Sequence, residues 1–436
     1  MKVKKFGGTS VGSAERIKNV ARLIGGCTKD IVVLSAMSGT TNALLEISAS
    51  MKVGDKRQAA ALIDGLAEKY AGVIDELYSS DTSRKEASEI TDSIFSDLRA
   101  LNDKDFGART EKEIVAKGEM ISTNLMNIYL HEQGIGSALL DALEFMKTDS
   151  HGEPDQEYIS QHAAGAIARH PDAALYITQG FICRNDKGEI DNLQRGGSDY
   201  TASLIGAAVG ADEIEIWTDI DGMHNNDPRF VDDTRPVHNL HFEEAAELAY
   251  FGAKILHPTC ILPAREKNIP VRLLNTLDPS AEGTLIENVL GGDPIKAVAA
   301  KDNITAIKIK SGRMLLAYGF LKKVFEIFEK YETAIDMIAT SEVGVSLTID
   351  NEKHLPEIER ELRELGTVTI DRDMVIVCVV GDLEWTRRGF EAKALEALCN
   401  VPVRMISYGG SNYNISFLIR KEDKVKALRM LSYHLF

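Results

Sequence analysis

The chain has 436 residues, 44% of them apolar, with 50 basic and 66 acidic side chains and a formal charge of −16. That length implies roughly three domains with real cores, and the acidic balance argues against a general nucleic-acid binder. Five scattered cysteines with no C-x-x-C pair suggest neither a disulfide framework nor a zinc site, and no apolar run approaches the length that spans a bilayer.

Val3 and Phe6 close a short buried strand at the start of the chain. Gly7 and Gly8 then let the backbone turn sharply and approach a ligand. Thr9, Ser10 and Ser13 can cap a helix over Glu15–Ile24. A strand, a glycine turn and a capped helix start make an anion cradle, because free N–H groups and the positive helix end point the same way. Lys5 adds a full charge at its rim. Taken alone, such a turn opens many α/β domains that bind nothing there. A functional motif this early predicts no signal or transit peptide, so a reducing cytoplasm is the expected setting.

Ile31–Leu34 predicts the next strand, ending in the hydroxyl-rich run Ser35 to Asn42 that includes Thr41. Met51 to Leu101 is polar, helix-favouring and strand-free, and predicts a helical excursion. In Lys117-Gly118-Glu119 the carboxylate suits an α-ammonium group, although by itself Glu119 reads as a solvated surface residue. Leu175–Thr178, Ile214–Trp217 and Val271–Leu274 are short apolar runs of the buried parallel kind, and Thr201–Val209 and Glu243–Phe251 carry helical patterns. The alternation predicts an α/β sandwich with a mainly parallel central sheet and ligands at the carboxyl ends of its strands.

Three further clusters carry candidate chemistry. Arg195-Gly196-Gly197-Ser198-Asp199-Tyr200-Thr201 is a second glycine loop feeding a helix start; Arg195 can grip a carboxylate or phosphate, and Asp199 can cap the helix or orient a ligand. Trp217-Thr218-Asp219-Ile220-Asp221-Gly222-Met223 ends a strand in Thr-Asp and is followed by Asn226-Asp227-Pro228-Arg229. Phe251-Gly252-Ala253-Lys254-Ile255-Leu256-His257-Pro258 brings Lys254, with His257 read as structural.

From about residue 295 the rhythm changes. Ile304–Ile309, Ile335–Ala339, Val343–Ile349 and Thr367–Ile370 predict strands, and Gly319–Lys330 and Leu355–Leu365 predict helices, which together form a ferredoxin-like βαββαβ unit. The pattern returns about 70 positions later. Gly389-Phe390 echoes Gly319-Phe320, Met405-Ile406 echoes Met337-Ile338, and Ile415–Ile419 echoes Val345–Ile349. The second copy ends one strand short after a helix over Glu422–Leu431. Ile295–Ala300 could supply the missing strand, which would insert the first module into the second.

The strings around Lys5, Arg195, Thr218 and Lys254 resemble the signatures of the aspartokinases, within the amino-acid kinase family, and the tail modules resemble ACT domains. The likeness runs over the whole chain and is greatest to the monofunctional, lysine-sensitive type. It implies an amino-acid kinase-like α/β sandwich over residues 1–292. A regulatory region would follow at 293–436, with ACT-like modules at about 302–372 and at 373–436 completed by 294–301. It implies transfer of the ATP γ-phosphoryl group to L-aspartate, with Mg²⁺ carried by ATP and Lys5 and Asp199 as the catalytic pair. The ATP pocket would comprise Lys5, Phe6, Gly7, Gly8, Thr218, Asp219, His224, Arg229, Lys254 and Ile255. The aspartate pocket would comprise Ser35, Thr41, Glu119, Arg195, Ser198 and Asp199. An amino-acid effector, L-lysine, would bind near Met314, Ala317, Gly319, Phe320, Leu321, Ala334, Ile335, Asp336, Ser341 and Glu342. The ACT-like modules would pair two chains into a homodimer, or build a tetramer. Four positions depart from the family pattern: Gln194, His224, Ala317 and Ala334. A kinase for another amino acid such as glutamate, and an amino-acid sensor with an inactive kinase domain, are the competing readings.

Overall fold

A computed structural model describes residues 1–193, 196–252, 257–291, 293–312 and 318–436. The expectations for Gln194, Arg195, Lys254, Ile255, Met314 and Ala317 therefore fall outside the described residues. The chain divides into two compact units, Met1–Gly222 with Leu256–Asn288, and Met223–Ile255 with Val289–Phe436.

The first unit is built on a twisted sheet. Its strands run in the order Ser137–Leu140, Leu175–Gln179, Ile31–Leu34, Lys2–Phe6, Glu213–Thr218, Val271–Asn275 and Thr284–Glu287. All pair in parallel except the last, which is antiparallel. Ile31–Leu34 and Leu175–Gln179 are buried along their whole length, which is why they read as unbroken apolar runs. Lys2–Phe6 is different, because its two faces have different tasks. Lys2 and Lys4 point to one side, where they pair with Glu215 at 2.8 Å and 3.0 Å, and Trp217 Nε1 donates to the same carboxylate at 2.9 Å. Burial works against the Glu215 carboxylate, yet these donors hold it below the usual range. Lys5 points to the opposite face.

The helical excursion is present as Lys56–Leu77 and Asp81–Asp103, flanked by Thr40–Lys52 and Thr110–Glu132. These helices cover one face of the sheet and share a core with it that includes Phe6, Leu34, Tyr70, Phe95 and Ile177. Gly197–Val209 packs on Lys2–Phe6, with Gln156–Ala168 and Leu262–Glu266 beside it.

In the second unit, strands run antiparallel in the order Ile338–Ser341, Gly344–Ile349, Ile295–Lys310, Thr367–Gly381, Asn414–Arg420 and Val403–Tyr408. The two long central strands each serve twice. The half from Ile304 to Lys310 pairs with Thr367–Met374 beneath the helices Phe320–Lys330 and Leu355–Leu365. The half from Ile295 to Lys301 pairs with Ile376–Gly381 beneath Phe390–Ala397 and Lys424–Leu435. Ile295–Ala300 thus lies beside the strand that opens the second repeat.

Several boundaries differ from expectation. The second strand of the first repeat is Ile338–Ser341 rather than Ile335–Ala339, because Asp336 and Met337 both bond to the single residue Thr348 of the neighbouring strand, which breaks the regular ladder before Ile338. The last helix is Lys424–Leu435, after a 3₁₀ turn at Lys421–Asp423 that takes up the acidic start. Of the three hydroxyls placed at the first helix start, only Ser13 caps it, accepting from Arg16 N at 3.3 Å; Ser10 Oγ bonds Thr276 Oγ1 at 2.8 Å instead.

Candidate functional site

The strands of the first unit end level. Phe6 lies opposite Leu34 and Trp217, and Leu34 lies opposite Gln179. The loops that leave them, at Gly7, Ser35, Gly180 and Asp219, therefore emerge along one edge. This is the edge at which open parallel sheets bind ligands. The loops are tied together by backbone bonds: Gly7 N donates to Trp217 O at 3.3 Å, Ser35 N to Phe6 O at 3.2 Å, and Ser38 N to Gly8 O at 3.1 Å.

Lys5 and Asp199 meet over this edge. Lys5 Nζ lies 2.7 Å from Asp199 Oδ1, with only 12% and 17% of the two side chains exposed. Asp199 sits in the first turn of Gly197–Val209, but it does not cap that helix. The N-cap is Gly196, at φ 71°, with no side-chain cap bond. The carboxylate is thereby left to hold the lysine ammonium. Asp199 and Lys5 come from different elements, a helix start and a strand end, each beside a glycine turn.

A second layer lies under the pair. Ser35 Oγ donates to Ser198 Oγ at 2.9 Å, joining the loop after the second strand to the helix that carries Asp199. Ser122 Oγ donates to Ser35 O at 2.8 Å from the helix Thr110–Glu132. Glu119, one turn earlier, is not a surface residue: it is 3% exposed. Its Oε1 accepts from Ala36 N at 3.2 Å, and its Oε2 has no hydrogen-bond partner among the described residues. Burial pushes its carboxyl from an ordinary 4.5 up to about 7, with the Ala36 N–H opposing. A lone Glu in a helical stretch gives no sign of this from sequence, because burial depends on which helix face meets the sheet. Thr41 lies in the first turn of Thr40–Lys52, downstream of the Ser35 loop.

On the nucleotide side, Thr218 Oγ1 donates to Asp219 Oδ1 at 3.2 Å, and Thr276 N donates to Thr218 O at 2.8 Å. Phe6 is fully buried, with its ring stacked 5.6 Å from that of Trp217, so only its backbone faces the edge. His224 and Arg229 belong to the second unit. There His224 Nδ1 lies 2.9 Å from Thr234 Oγ1, and Arg229 forks onto Asp227 at 2.6–3.1 Å. His257 caps the 3₁₀ turn Pro258–Ile261, as a structural histidine does.

Two contributors have only a faint sequence signal. Phe181, at φ 68°, donates its N–H to Thr201 Oγ1 at 2.9 Å and so fixes the loop after Leu175–Gln179 against the Asp199 helix. Cys260 is buried, and its Sγ lies only 1.9 Å from where a Cβ on Gly196 would stand. The glycine is therefore required by packing as well as by its left-handed backbone.

In the second unit, Phe320 and Ile335 join one core, while Leu321, Ala334, Ser341 and Glu342 are exposed. Asp336 is paired with Lys301 at 2.6 Å. No described helix is long and apolar enough to cross a membrane. Among the described residues, no cluster of three His, Cys, Asp or Glu is placed to hold a metal.

Residues 1–275 match the amino acid kinase family, and residues 377–435 match the ACT domain. The chain is 33% identical to lysine-sensitive aspartokinase 3 of Escherichia coli, covering 100% of this chain and 99% of that one. It is 35% identical to chloroplastic aspartokinase 1 of Arabidopsis thaliana, covering 100% and 80%. The structure of E. coli aspartokinase III with aspartate and ADP superposes with a TM-score of 0.85 at 32% identity over both full chains. The same enzyme with lysine and aspartate gives 0.81 at 33%, over 100% of this chain and 99% of that one. A parallel-sheet kinase unit with its Lys–Asp pair, an ACT match in the tail and likeness over the full length lead to one assignment: the chain belongs to the aspartokinases.

Proposed function

We propose that this chain transfers the γ-phosphoryl group of ATP to the side-chain carboxylate of L-aspartate, giving ADP and 4-phospho-L-aspartate. The observation that carries the reading is the Lys5–Asp199 pair, held between two glycine turns over the carboxyl edge of the sheet. The acceptor carboxylate, with an ordinary pKa of about 3.9, is already ionised at neutral pH, so no general base is needed. Its oxygen attacks the γ-phosphorus, the bond to the β,γ-bridging oxygen breaks, and ADP leaves with that electron pair.

The chain's part is positioning and charge neutralisation. Lys5, oriented by Asp199, and Lys254 stabilise charge on the transferring group, assisted by the amides of Gly7 and Gly8. Ser35, Thr41, Ser198 and Arg195 hold the acceptor, with Glu119 meeting its α-ammonium. Thr218, Asp219, His224, Arg229 and Ile255 serve the nucleotide. Mg²⁺ carried by ATP would neutralise phosphate charge when bound.

Residues 1–292 form the catalytic domain in this reading, and 293–436 the regulatory region with modules at about 302–372 and at 373–436 with 294–301. Segment 223–255 belongs to the first in role while packing with the second unit. The regulatory region binds L-lysine and pairs chains as a homodimer, and the enzyme works in the cytoplasm. A coupled assay of ADP release tests the core of the reading. Activity with aspartate and none with glutamate is expected; activity with glutamate alone, or with neither, refutes it.

A further inference from the structure

The helical excursion carries no residue of the two substrate pockets, yet it grips the loop that does. Tyr70, in Lys56–Leu77, is fully buried, and its ring lies 6.0 Å from that of Phe95 in Asp81–Asp103. Packing between the two helices thus fixes the ring. Its hydroxyl shares a hydrogen bond of 2.9 Å with Thr40 Oγ1, on a threonine that is itself fully buried. Burial, opposed by the Thr40 hydrogen bond and aided by the Glu119 charge, pushes the phenol above its ordinary range, so it stays protonated. One residue earlier, Lys69 Nζ donates to Ser38 O at 3.0 Å. The loop from Ser35 to Thr41 therefore takes two bonds from consecutive residues of one helix, an exposed one at Ser38 and a buried one at Thr40.

This loop has little else to orient its end. It runs into the helix Thr40–Lys52, whose N-cap is Gly39 at φ 80°, with no side-chain cap bond. The direction of that first turn must come from tertiary contacts. Thr40 supplies two of them. Its hydroxyl meets Tyr70, and its methyl lies 3.3 Å from where a Cβ on Gly118 would stand, with Ala36 Cβ at 2.8 Å from the same point. The helix that carries Glu119 is thus pressed onto the same short stretch of chain. Successive residues of a helix project about 100° apart. Holding Thr40 in the core therefore sets the direction in which Thr41 leaves the helix.

We propose that Tyr70 is a positioning residue for the amino-acid acceptor: its bond to Thr40 sets Thr41 against Glu119, with Lys69 as a second, exposed tie. The inference rests on the aspartate reading given above and deepens it. Tyr70 acts through Thr40 and does not itself meet the substrate. The bond belongs to the acceptor loop and not to the turns assigned to the nucleotide, so its loss should fall on aspartate rather than on ATP. A tyrosine that only filled the core would lower stability and leave the substrate constants alone. This gives the helical excursion a part in the reaction: it is the anvil against which the acceptor loop is set.

The test uses Tyr70→Phe, which keeps the ring and removes only the hydroxyl, and Thr40→Val, which removes the partner hydroxyl at nearly the same shape. ADP release is measured in the full chain for wild type, both single variants and the double variant, with thermal melts alongside. Each single variant should raise the KM for aspartate about 3- to 10-fold, the scale of one hydrogen bond. The kcat and the KM for ATP should stay within about twofold of wild type. The two substitutions should not add, because they remove the same bond. The double variant should keep the raised KM of the single ones while its Tm recovers, since no buried hydroxyl is left unpaired. An unchanged KM for aspartate in the single variants, or an equal rise in the KM for ATP, overturns the inference while the aspartate reading stands. So does a double variant whose KM is multiplied again, or returns to wild type along with its Tm. If wild type does not phosphorylate aspartate, that reading falls and takes this inference with it.

Discussion

Glu119 gives the kinase site a pH signature. The residue is 3% exposed, and its carboxyl takes one backbone N–H at 3.2 Å and is pushed by burial up to about 7. If its task is to meet the α-ammonium of aspartate, only the ionised form serves. With a midpoint near 7, about a tenth of the sites are ionised at pH 6 and about nine-tenths at pH 8. The KM for aspartate should therefore fall about ninefold from pH 6 to pH 8, since neither substrate carboxyl titrates in that window. Glu119→Gln should abolish the slope and leave KM at or above the acid-side value. The same shift has an opposite consequence for stability. A carboxyl whose folded pKa lies above the ordinary 4.5 favours the folded state at low pH. That contribution is lost as pH rises through about 7, and the charged buried form then costs on the order of 3 kcal/mol. Ligand-free Glu119→Gln should thus melt higher than wild type at pH 8, with the gap closing toward pH 5. Steady-state kinetics at saturating ATP across pH 6–8, paired with thermal melts, reads both effects. A flat wild-type KM across that range, or a Gln variant with wild-type aspartate affinity, refutes the assigned role.

Lys5→Ala and Asp199→Asn should each lower kcat about 10²- to 10³-fold with unchanged circular dichroism, the usual loss for one preorganised charge at a transition state; near-wild-type turnover removes the residue from the mechanism. Arg195→Ala should raise the KM for aspartate more than that for ATP, and Arg195→Lys should rescue it poorly because lysine lacks the planar fork; a rise confined to the KM for ATP contradicts the assignment. Gly196→Ala should lower Tm by several degrees, since its Cβ would meet Cys260 Sγ and strain a backbone at φ 71°. Adding Cys260→Ala should restore part of the loss by relieving the clash, but not the backbone strain.

The fold was legible wherever local pattern and tertiary fate agree. Ile31–Leu34 is buried on both faces and reads that way, and the 70-residue echo between Gly319-Phe320 and Gly389-Phe390 falls on two helix starts. It was less legible where one strand serves two modules. Ile304–Ile309 and Thr367–Ile370 are fragments of the strands Ile295–Lys310 and Thr367–Gly381. The polar runs Lys301-Asp302-Asn303 and Asp371-Arg372-Asp373 interrupt the apolar pattern, and Asn303 and Asp373 take positive φ at the irregularity, yet the ladder resumes beyond it. In the site, the glycine loops announce themselves because turns need particular residues. The burial of Glu119 and the approach of Cys260 to Gly196 do not, since both depend on which surfaces meet across long sequence separations.

The shared strands also set an order of assembly. Ile295–Lys301 leaves the ribosome before the whole first repeat, yet its partner Ile376–Gly381 is made only after that repeat is complete. Until then its inner edge presents unpaired N–H and C=O groups, the kind of edge that recruits other chains. The first repeat can close from contacts that are near in sequence, whereas the second must wait for a distant return. A nascent chain stalled between Met374 and Gly381 would therefore carry one finished module and one sticky seam. Destabilising the first repeat should show up as poor yield and aggregation during synthesis before it appears as altered catalysis.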